Sequence, residues 1–256
     1  MIGHYIHGHG PEHALVLHGW FGDWRAFEPM LPALDESRFS LAFMDYRGYG
    51  KSKALGGPFD IPTIASDALA LAGHLGWHTF DLVGHSMGGK AALRLAADHA
   101  QRVRKILAIT PVWAGRVPFD DQSLAMFRGA VQDVRLREAI IADTAGGLEP
   151  AVWARNVAAQ SYRVSLQDAF GGYLESWALS DFAADVQGLP IPTRVVAGAH
   201  DSSITPDVVS ATWLAHLSKA SLDVLPECGH YPMLQTPLAL ARVFETFLLN
   251  DAGEAI

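Results

Sequence analysis

The 256-residue chain is predicted to form an α/β fold, a doubly wound and mostly parallel sheet, on three observations. Short apolar runs alternate with longer Ala/Leu-rich stretches along most of the sequence. The apolar runs are nearly continuous rather than alternating, as expected of strands covered on both faces by helices. The rhythm breaks only once, between about Val112 and Gly188.

The first strand, about Ile2 to His7, is expected to form a hairpin with the second through Gly8-His9-Gly10-Pro11. The following strands are read at Ala14–Leu17, Ser40–Met44, Phe80–Val83, Lys105–Ile109, Thr193–Ala197 and Leu222–Leu225. Between them, Ile64–Leu75 and Lys90–Ala97 carry helical patterns, and Thr205-Pro206-Asp207 reads as an N-cap, a proline in the first turn and an early acid. Val112–Gly188 holds no convincing strand but has helix-like stretches with Phe119, Met126, Phe127, Trp153, Tyr162, Phe170, Tyr173 and Trp177. The expected organisation is a core of residues 1–111 and 189–256, with residues 112–188 as a helical cap inserted after the sixth strand. Ligands gather at the carboxyl ends of parallel strands, so an insertion emerging there covers the pocket. The alternative is that its aromatics form a core of their own.

Composition narrows the function. Half the chain is hydrophobic, charged residues are 18% and the formal net charge is -8. No basic run occurs, which argues against nucleic-acid and anionic-membrane partners. The start Met1-Ile2-Gly3-His4-Tyr5 lacks a cationic segment followed by an apolar one, and no apolar stretch approaches bilayer length. A single cysteine, Cys228, excludes an internal disulfide and a multi-cysteine metal site, and a cytoplasmic location is expected. His4, His7, His9 and His13 crowd the N-terminus, but no acid or thiol completes a ligand set there, so no metal is expected.

The segment Gly84-His85-Ser86-Met87-Gly88 stands between a strand and a helix. In that setting the string describes a sharp turn that presents Ser86 as a nucleophile and offers the Met87 amide to a developing oxyanion. Serine needs a base, and imidazole titrates near working pH; a buried carboxylate then fixes the imidazole tautomer. Asp201, past the strand Thr193–Ala197, and His230, past the last strand, supply these in the order serine, acid, histidine. Asp45 is also at a strand end but precedes Ser86, and is read as tying down a loop with Arg47. The loop His18-Gly19-Trp20-Phe21 should bring the second oxyanion donor, the Trp20 amide, with Phe21 as second choice and His18 as a structural brace. Phe21, Trp113, Phe119, Phe127, Trp153, Tyr162 and Trp177 are the candidates for substrate contact. Arg116 and Arg163 are weighed as contacts for a substrate carboxylate against solvated helix faces, and the latter is favoured.

His18-Gly19-Trp20, Asp45-Tyr46-Arg47-Gly48-Tyr49-Gly50-Lys51-Ser52, Gly84 to Gly89, Gly198-Ala199-His200-Asp201 and Gly229-His230-Tyr231-Pro232 together resemble the α/β-hydrolase fold family. Within it they are most similar to small bacterial esterases with a helical cap. The resemblance implies an acyl-enzyme hydrolase without a cofactor, with Ser86, His230 and Asp201 as triad and the Trp20 and Met87 amides as oxyanion hole. Serine at position 86 departs from the dehalogenase and epoxide-hydrolase branches. The expected activity is hydrolysis of small, largely apolar carboxylic esters. Cleavage of ring-fission diketones, lactones or thioesters by the same residues stands as the alternative, and a receptor-like role as a more distant one.

Overall fold

Along β2 (Glu12–Leu17), Leu15 and Leu17 face one side of the sheet and Ala14 and Val16 the other, and all four are buried. Two apolar layers therefore flank one sheet, which is why its strands read as unbroken apolar runs. The structure, a computed structural model, describes residues 1–249. The remaining strands are β1 (His4–His7), β3 (Phe39–Met44), β4 (Phe80–His85), β5 (Val103–Ile109), β6 (Thr193–Gly198) and β7 (Ala220–Leu225). The sheet order is β1-β3-β2-β4-β5-β6-β7, parallel throughout except for antiparallel β1 on β3.

The α-helices are α1 (Ile61–His74), α2 (Met87–Asp98), α3 (Asp121–Gly129), α4 (Val134–Thr144), α5 (Ala151–Val164), α6 (Gln167–Leu179), α7 (Ala183–Val186), α8 (Pro206–Val209), α9 (Pro232–Gln235) and α10 (Pro237–Leu249). Helix α1 starts where Asp60 accepts from the Thr63 amide, and its residues Ile61, Ile64, Ala68 and Leu71 pack with α2 on one face. On the other face, α10 supplies Leu240, Phe244 and Leu248, beside Phe27 and Met30 of a 3-10 stretch at Trp24–Ala33. Thr205 caps α8 through the Val208 amide, as its sequence predicts.

Two expectations need correcting. β1 does not form a hairpin with β2. It pairs with β3, because the linking residues bond to the strand-entry segment instead: the His9, Gly10 and Glu12 amides donate to Glu36, Phe39 and Arg38 carbonyls at 2.8, 2.8 and 3.0 Å. The helical insertion follows the fifth strand, not the sixth. Residues 45–60, rich in glycine, form loop and a 3-10 turn and add no strand to the sheet.

Helices α3 to α7 occupy the connection between β5 and β6. They do not keep a separate core. Phe170, Tyr173 and Trp177 of α6 join the cluster on the α1–α2 face, while Ile141 of α4 and Ala154 and Ala158 of α5 join the opposite one. Among the described residues, no helix is long and apolar enough to cross a membrane. The chain leaves β2 toward β3 on one side and returns to β4 on the other, so the carboxyl ends of β2 and β4 mark the topological switch point where a crevice opens.

Candidate active site

Ser86 follows β4 directly and precedes α2, with φ 53° and ψ −117°. A side chain at Gly84 would lie 2.5 Å from the Gly88 carbonyl oxygen, and one at Gly88 would lie 2.3 Å from that of Leu17. Strand and helix can turn this tightly only with glycine at both places. The Ser86 backbone is held on both sides: its N–H donates to Ile109 at 3.0 Å, and its carbonyl accepts from Gly89 at 2.9 Å and Val112 at 3.0 Å. Among the described non-glycine residues, only Ser86 and Thr110 have positive φ, 53° and 39°. Strain of this kind persists where the surroundings over-determine it, and both residues meet at one site.

Asp201 sits in a turn just beyond β6, and His230 lies in the loop between β7 and α9. The Nδ1–H of His230 donates to Asp201 Oδ2 at 2.6 Å, which leaves Nε2 to accept from Ser86 Oγ at 2.9 Å. The other Asp201 oxygen accepts from the Ser203 and Ile204 amides at 2.9 and 3.0 Å. Burial alone would raise this carboxyl, but the facing His230 and these hydrogen bonds outweigh it and hold Asp201 below its usual value.

The main chain of His230 is fixed too. Its amide donates to Thr144 at the end of α4 at 2.9 Å. Its carbonyl accepts from His85 Nε2 at 2.8 Å and Thr110 Oγ1 at 3.0 Å. Burial, reinforced by the neighbouring His230, lowers the His85 pKa to about 3, so this support stays neutral across ordinary pH. Gln235 Oε1 accepts from the flanking Gly229 and Tyr231 amides at 3.0 and 3.2 Å. None of these supports was legible beforehand; the strained φ of Thr110 has no sequence signature.

Gly19 lies against the turn, where an added Cβ would stand 2.4 Å from His85 Nδ1 and 3.3 Å from the Ser86 Cβ. A turn closed by Gly22 N–H to Gly19 at 3.3 Å then carries Trp20 and Phe21. The Trp20 carbonyl accepts from Tyr49 Oη at 2.9 Å, its Nε1–H donates to Phe170 at 2.8 Å, and its ring stacks on Phe170 at 3.9 Å. Met87 is the first residue of α2, where the amide lacks an intrahelical acceptor. His18 braces the loop as expected, its Nδ1 donating to the Gly19 carbonyl at 2.8 Å and its ring stacked on Tyr46 at 3.9 Å. Asp45 accepts from the Trp24 and Lys51 amides at 2.8 and 2.7 Å, while Arg47, the partner expected for it, bonds Asp67 at 2.7 and 2.9 Å.

Ser86 and His230 open into a cavity of about 330 Å³. Trp20, Phe21, Trp113, Phe119, Phe127 and Trp177 line it. Two residues expected there do not. Trp153 turns its ring against Tyr231 with the opposite apolar layer, and Tyr162 is exposed beside Arg137, because the inner face of α5 is made by Ala154, Ala158 and Ser161. Val112, Ile140, Thr144 and Ile204 are also in the wall, side chains that only the folded chain brings together. Arg116 also lines the cavity, from the coil before α3 and not from a helix face, whereas Arg163 ends α5 and donates to Gln160 at 2.6 Å. Buried Cys228, its thiol raised by burial, stays outside the cavity wall. Among the described residues no group of three His, Cys, Asp or Glu is arranged to hold a metal ion.

Two relatives match nearly the whole chain in sequence, and one solved structure matches it in fold. A pimeloyl-acyl-carrier-protein methyl ester esterase of Nitrosomonas europaea is 26% identical over 93% of this chain and 96% of its own. A 2-hydroxymuconate semialdehyde hydrolase of Pseudomonas sp. is 26% identical over 98% and 88%. A hydrolase from Oleispira antarctica superposes with a TM-score of 0.87 at 18% identity, covering 98% of this chain and 95% of that one, a likeness of fold. A family profile for the alpha/beta hydrolase fold matches residues 13–237, and with that span the chain belongs to the α/β-hydrolase fold family.

Proposed function

We propose that the chain is a serine hydrolase cleaving small, largely apolar carboxylic esters through an acyl-enzyme. The observation that carries this reading is the hydrogen-bonded line Asp201–His230–Ser86 at the wall of an aromatic cavity. In this reading Ser86 Oγ attacks the ester carbonyl carbon while His230 Nε2 takes its proton. The Trp20 and Met87 amides receive the oxyanion, and the proton passes to the departing alcohol as the C–O bond breaks. Water then gives a proton to Nε2 and attacks the acyl group, and Ser86 recovers its proton as the carboxylic acid leaves. Asp201 holds the imidazole tautomer and offsets the imidazolium charge.

Residues 112–188 act as the cap, and Phe21, Trp113, Phe119, Phe127 and Trp177 shape the acyl or alcohol site. The volume, at the small end for ligand pockets, favours compact substrates. A buried, unactivated Cys228 accords with a cytoplasmic setting. The relative named as a methyl ester esterase supports the ester reading, and the one named as a semialdehyde hydrolase keeps carbon–carbon cleavage as the competing chemistry.

A fluorophosphonate probe and a panel of p-nitrophenyl esters, lactones and vinylogous diketones test the proposal. The expected result is one covalent adduct, on Ser86, and ester turnover that Ser86→Ala reduces at least about 10³-fold without altering the melting temperature. Full activity in Ser86→Ala sinks the mechanism, and preferential turnover of diketones moves the reading to the carbon–carbon hydrolases.

A further inference from the structure

The cavity wall is mostly aromatic and aliphatic, broken by the hydroxyls of Ser86, Thr144, Ser203, Thr212 and Tyr231 and by the His230 imidazole, and it carries one charged side chain. Among the described residues, Arg116 is the one Lys, Arg, Asp or Glu that lines it. The chain as a whole carries a net charge of -8, so the one charged side chain in the wall has the opposite sign to the protein's net charge. Arg116 also departs from the habit of most of the other arginines. Eight of them, Arg25, Arg47, Arg94, Arg104, Arg128, Arg135, Arg155 and Arg194, have carboxylate partners. Buried Arg137 is satisfied by carbonyls and serine hydroxyls. The exposed guanidinium of Arg116 has no hydrogen bond or ion pair among the described residues, although it lines the cavity.

Its place along the chain sets where a ligand charge would fall. The loop leaves the nucleophile turn at Val112, whose amide donates to the Ser86 carbonyl at 3.0 Å and whose side chain is buried. Four residues later it reaches exposed Arg116 at the rim, a backbone span of at most about 14 Å for four residues. One end of the loop therefore serves the reacting centre and the other the opening. Between them Trp113 adds an apolar side chain to the wall, and Val117 follows Arg116 in the same lining.

We infer that Arg116 selects substrates bearing an ionised carboxylate at the far end of an apolar body from the scissile ester, half-esters of dicarboxylic acids being the simplest of this class. The guanidinium fork matches a carboxylate in two parallel hydrogen bonds, and the aromatic wall screens that pair from water once the ligand is seated. No acid in the wall competes for the guanidinium. The inference rests on the ester-hydrolase reading for the reaction, but recognition of the carboxylate is separable from turnover.

The test compares mono-p-nitrophenyl adipate with neutral p-nitrophenyl hexanoate, which shares its chain length. The ratio of their kcat/KM values should favour the anion, fall about tenfold in Arg116→Ala, recover in part in Arg116→Lys, and shrink in the native enzyme at high salt. A purely structural arginine would move both substrates together and leave the ratio in place. Binding of monomethyl adipate and methyl hexanoate to Ser86→Ala, followed by the fluorescence of Trp20, Trp113 and Trp177, gives the same comparison without chemistry. If neither ester is turned over but the anion still binds preferentially and through Arg116, the ester reading falls and this inference stands. If the native enzyme hydrolyses both and the ratio is indifferent to Arg116→Ala, or if Ser86→Ala binds both equally, the inference is overturned.

Discussion

Two ion pairs of the sheet and two buried cations at the helical insertion are satisfied in opposite ways. Within the sheet, Asp81 of β4 meets Arg104 of β5 at 2.9 and 3.1 Å, and Arg194 of β6 meets Asp223 of β7 at 2.8 Å. At the insertion, cations are buried with no carboxylate bonded to them. Lys90 of α2 is fully buried and its Nζ donates to Gly115, Trp177 and Ser180 carbonyls at 2.9, 2.9 and 2.8 Å. Arg137 of α4, also fully buried, donates to Ala130 and Val131 carbonyls and to the hydroxyls of Ser161 and Ser165, and lies over the Phe170 ring at 3.4 Å. These acceptors cluster at helix ends: Ala130 caps α3, Ser161 and Ser165 close α5, and Trp177 and Ser180 end α6. Carbonyls at a helix C-terminus lack intrahelical donors and carry the negative end of the helix dipole. A sheet supplies its own backbone partners through its register. Short helices packed end-on do not, and here two cations replace them.

The largest effect expected from this difference is at Arg137. Arg137→Ala removes four donors and the surface packed on Phe170, and should destabilise the chain by about 3–5 kcal/mol in urea unfolding. Since Phe170 stacks on Trp20, the loss should also appear as weaker ester turnover in the surviving folded protein. A change under about 1 kcal/mol would show that the guanidinium is dispensable and the comparison misdrawn.

Lys90→Met comes next, at about 2–3 kcal/mol, because three buried carbonyls lose their donor while the hydrophobic stem is kept. Its pH dependence is a sharper test than its size. Burial lowers the Lys90 pKa from 10.5 to about 8, with Asp181 opposing. Between those values the unfolded chain holds a proton that the folded chain has released, so native stability gains on the variant as pH rises from about 8. The gap between the two proteins should be flat below pH 8 and widen above it. A gap that closes with rising pH contradicts the burial argument.

The sheet pair provides the contrast. Burial pushes Asp81 up to about 6 despite Arg104 beside it. Stability from its raised pKa is fully present below the unfolded value of 3.8 and lost as pH rises through about 6, so at neutral pH the ionised form contributes little. Asp81→Asn keeps an acceptor for Arg104, which also retains Glu12 at 2.9 Å, and should change stability at pH 7 by less than about 1 kcal/mol. A cost equal to that of Lys90→Met would remove the distinction between the two regions.

What the sequence reveals follows the same boundary. Ser86, Asp201 and His230 are readable because each is set by a local device, a turn or a strand end, and the parallel sheet aligns those ends without help from the rest of the chain. The pairing of β1 with β3 was missed because it depends on bonds from the 8–12 segment to residues 36–39, which no local pattern records. In the insertion, helices were expected and are present, but their rotation was not. Trp153 and Tyr162 point away from the cavity, while Ile140 and Thr144, unremarkable in sequence, face it. Nothing local marks Lys90 and Arg137 as buried, because the helix ends they serve come from other parts of the chain.

The last effects, read in turnover and not in stability, are expected at two supports of the site itself, and they ask whether sheet and insertion contribute equally to it. Thr110→Val deletes a donor to the His230 carbonyl that comes from the end of β5, while His85 keeps its own. Trp20→Phe deletes the donor to Phe170, the tie between the 19–22 turn and α6, while Tyr49 still holds the Trp20 backbone. Each removes one neutral hydrogen bond, about 1 kcal/mol, so a fall of up to about tenfold in kcat with little change in KM is expected from either. Because His230 retains one carbonyl donor, its amide bond to Thr144 and its side-chain line, Thr110→Val should be the milder of the two. Trp20→Phe frees a loop whose position depends on a helix from another part of the chain, and should lower kcat further. If Thr110→Val is the more damaging, the strained residue beside β5 matters more to the reacting geometry than the docking of α6.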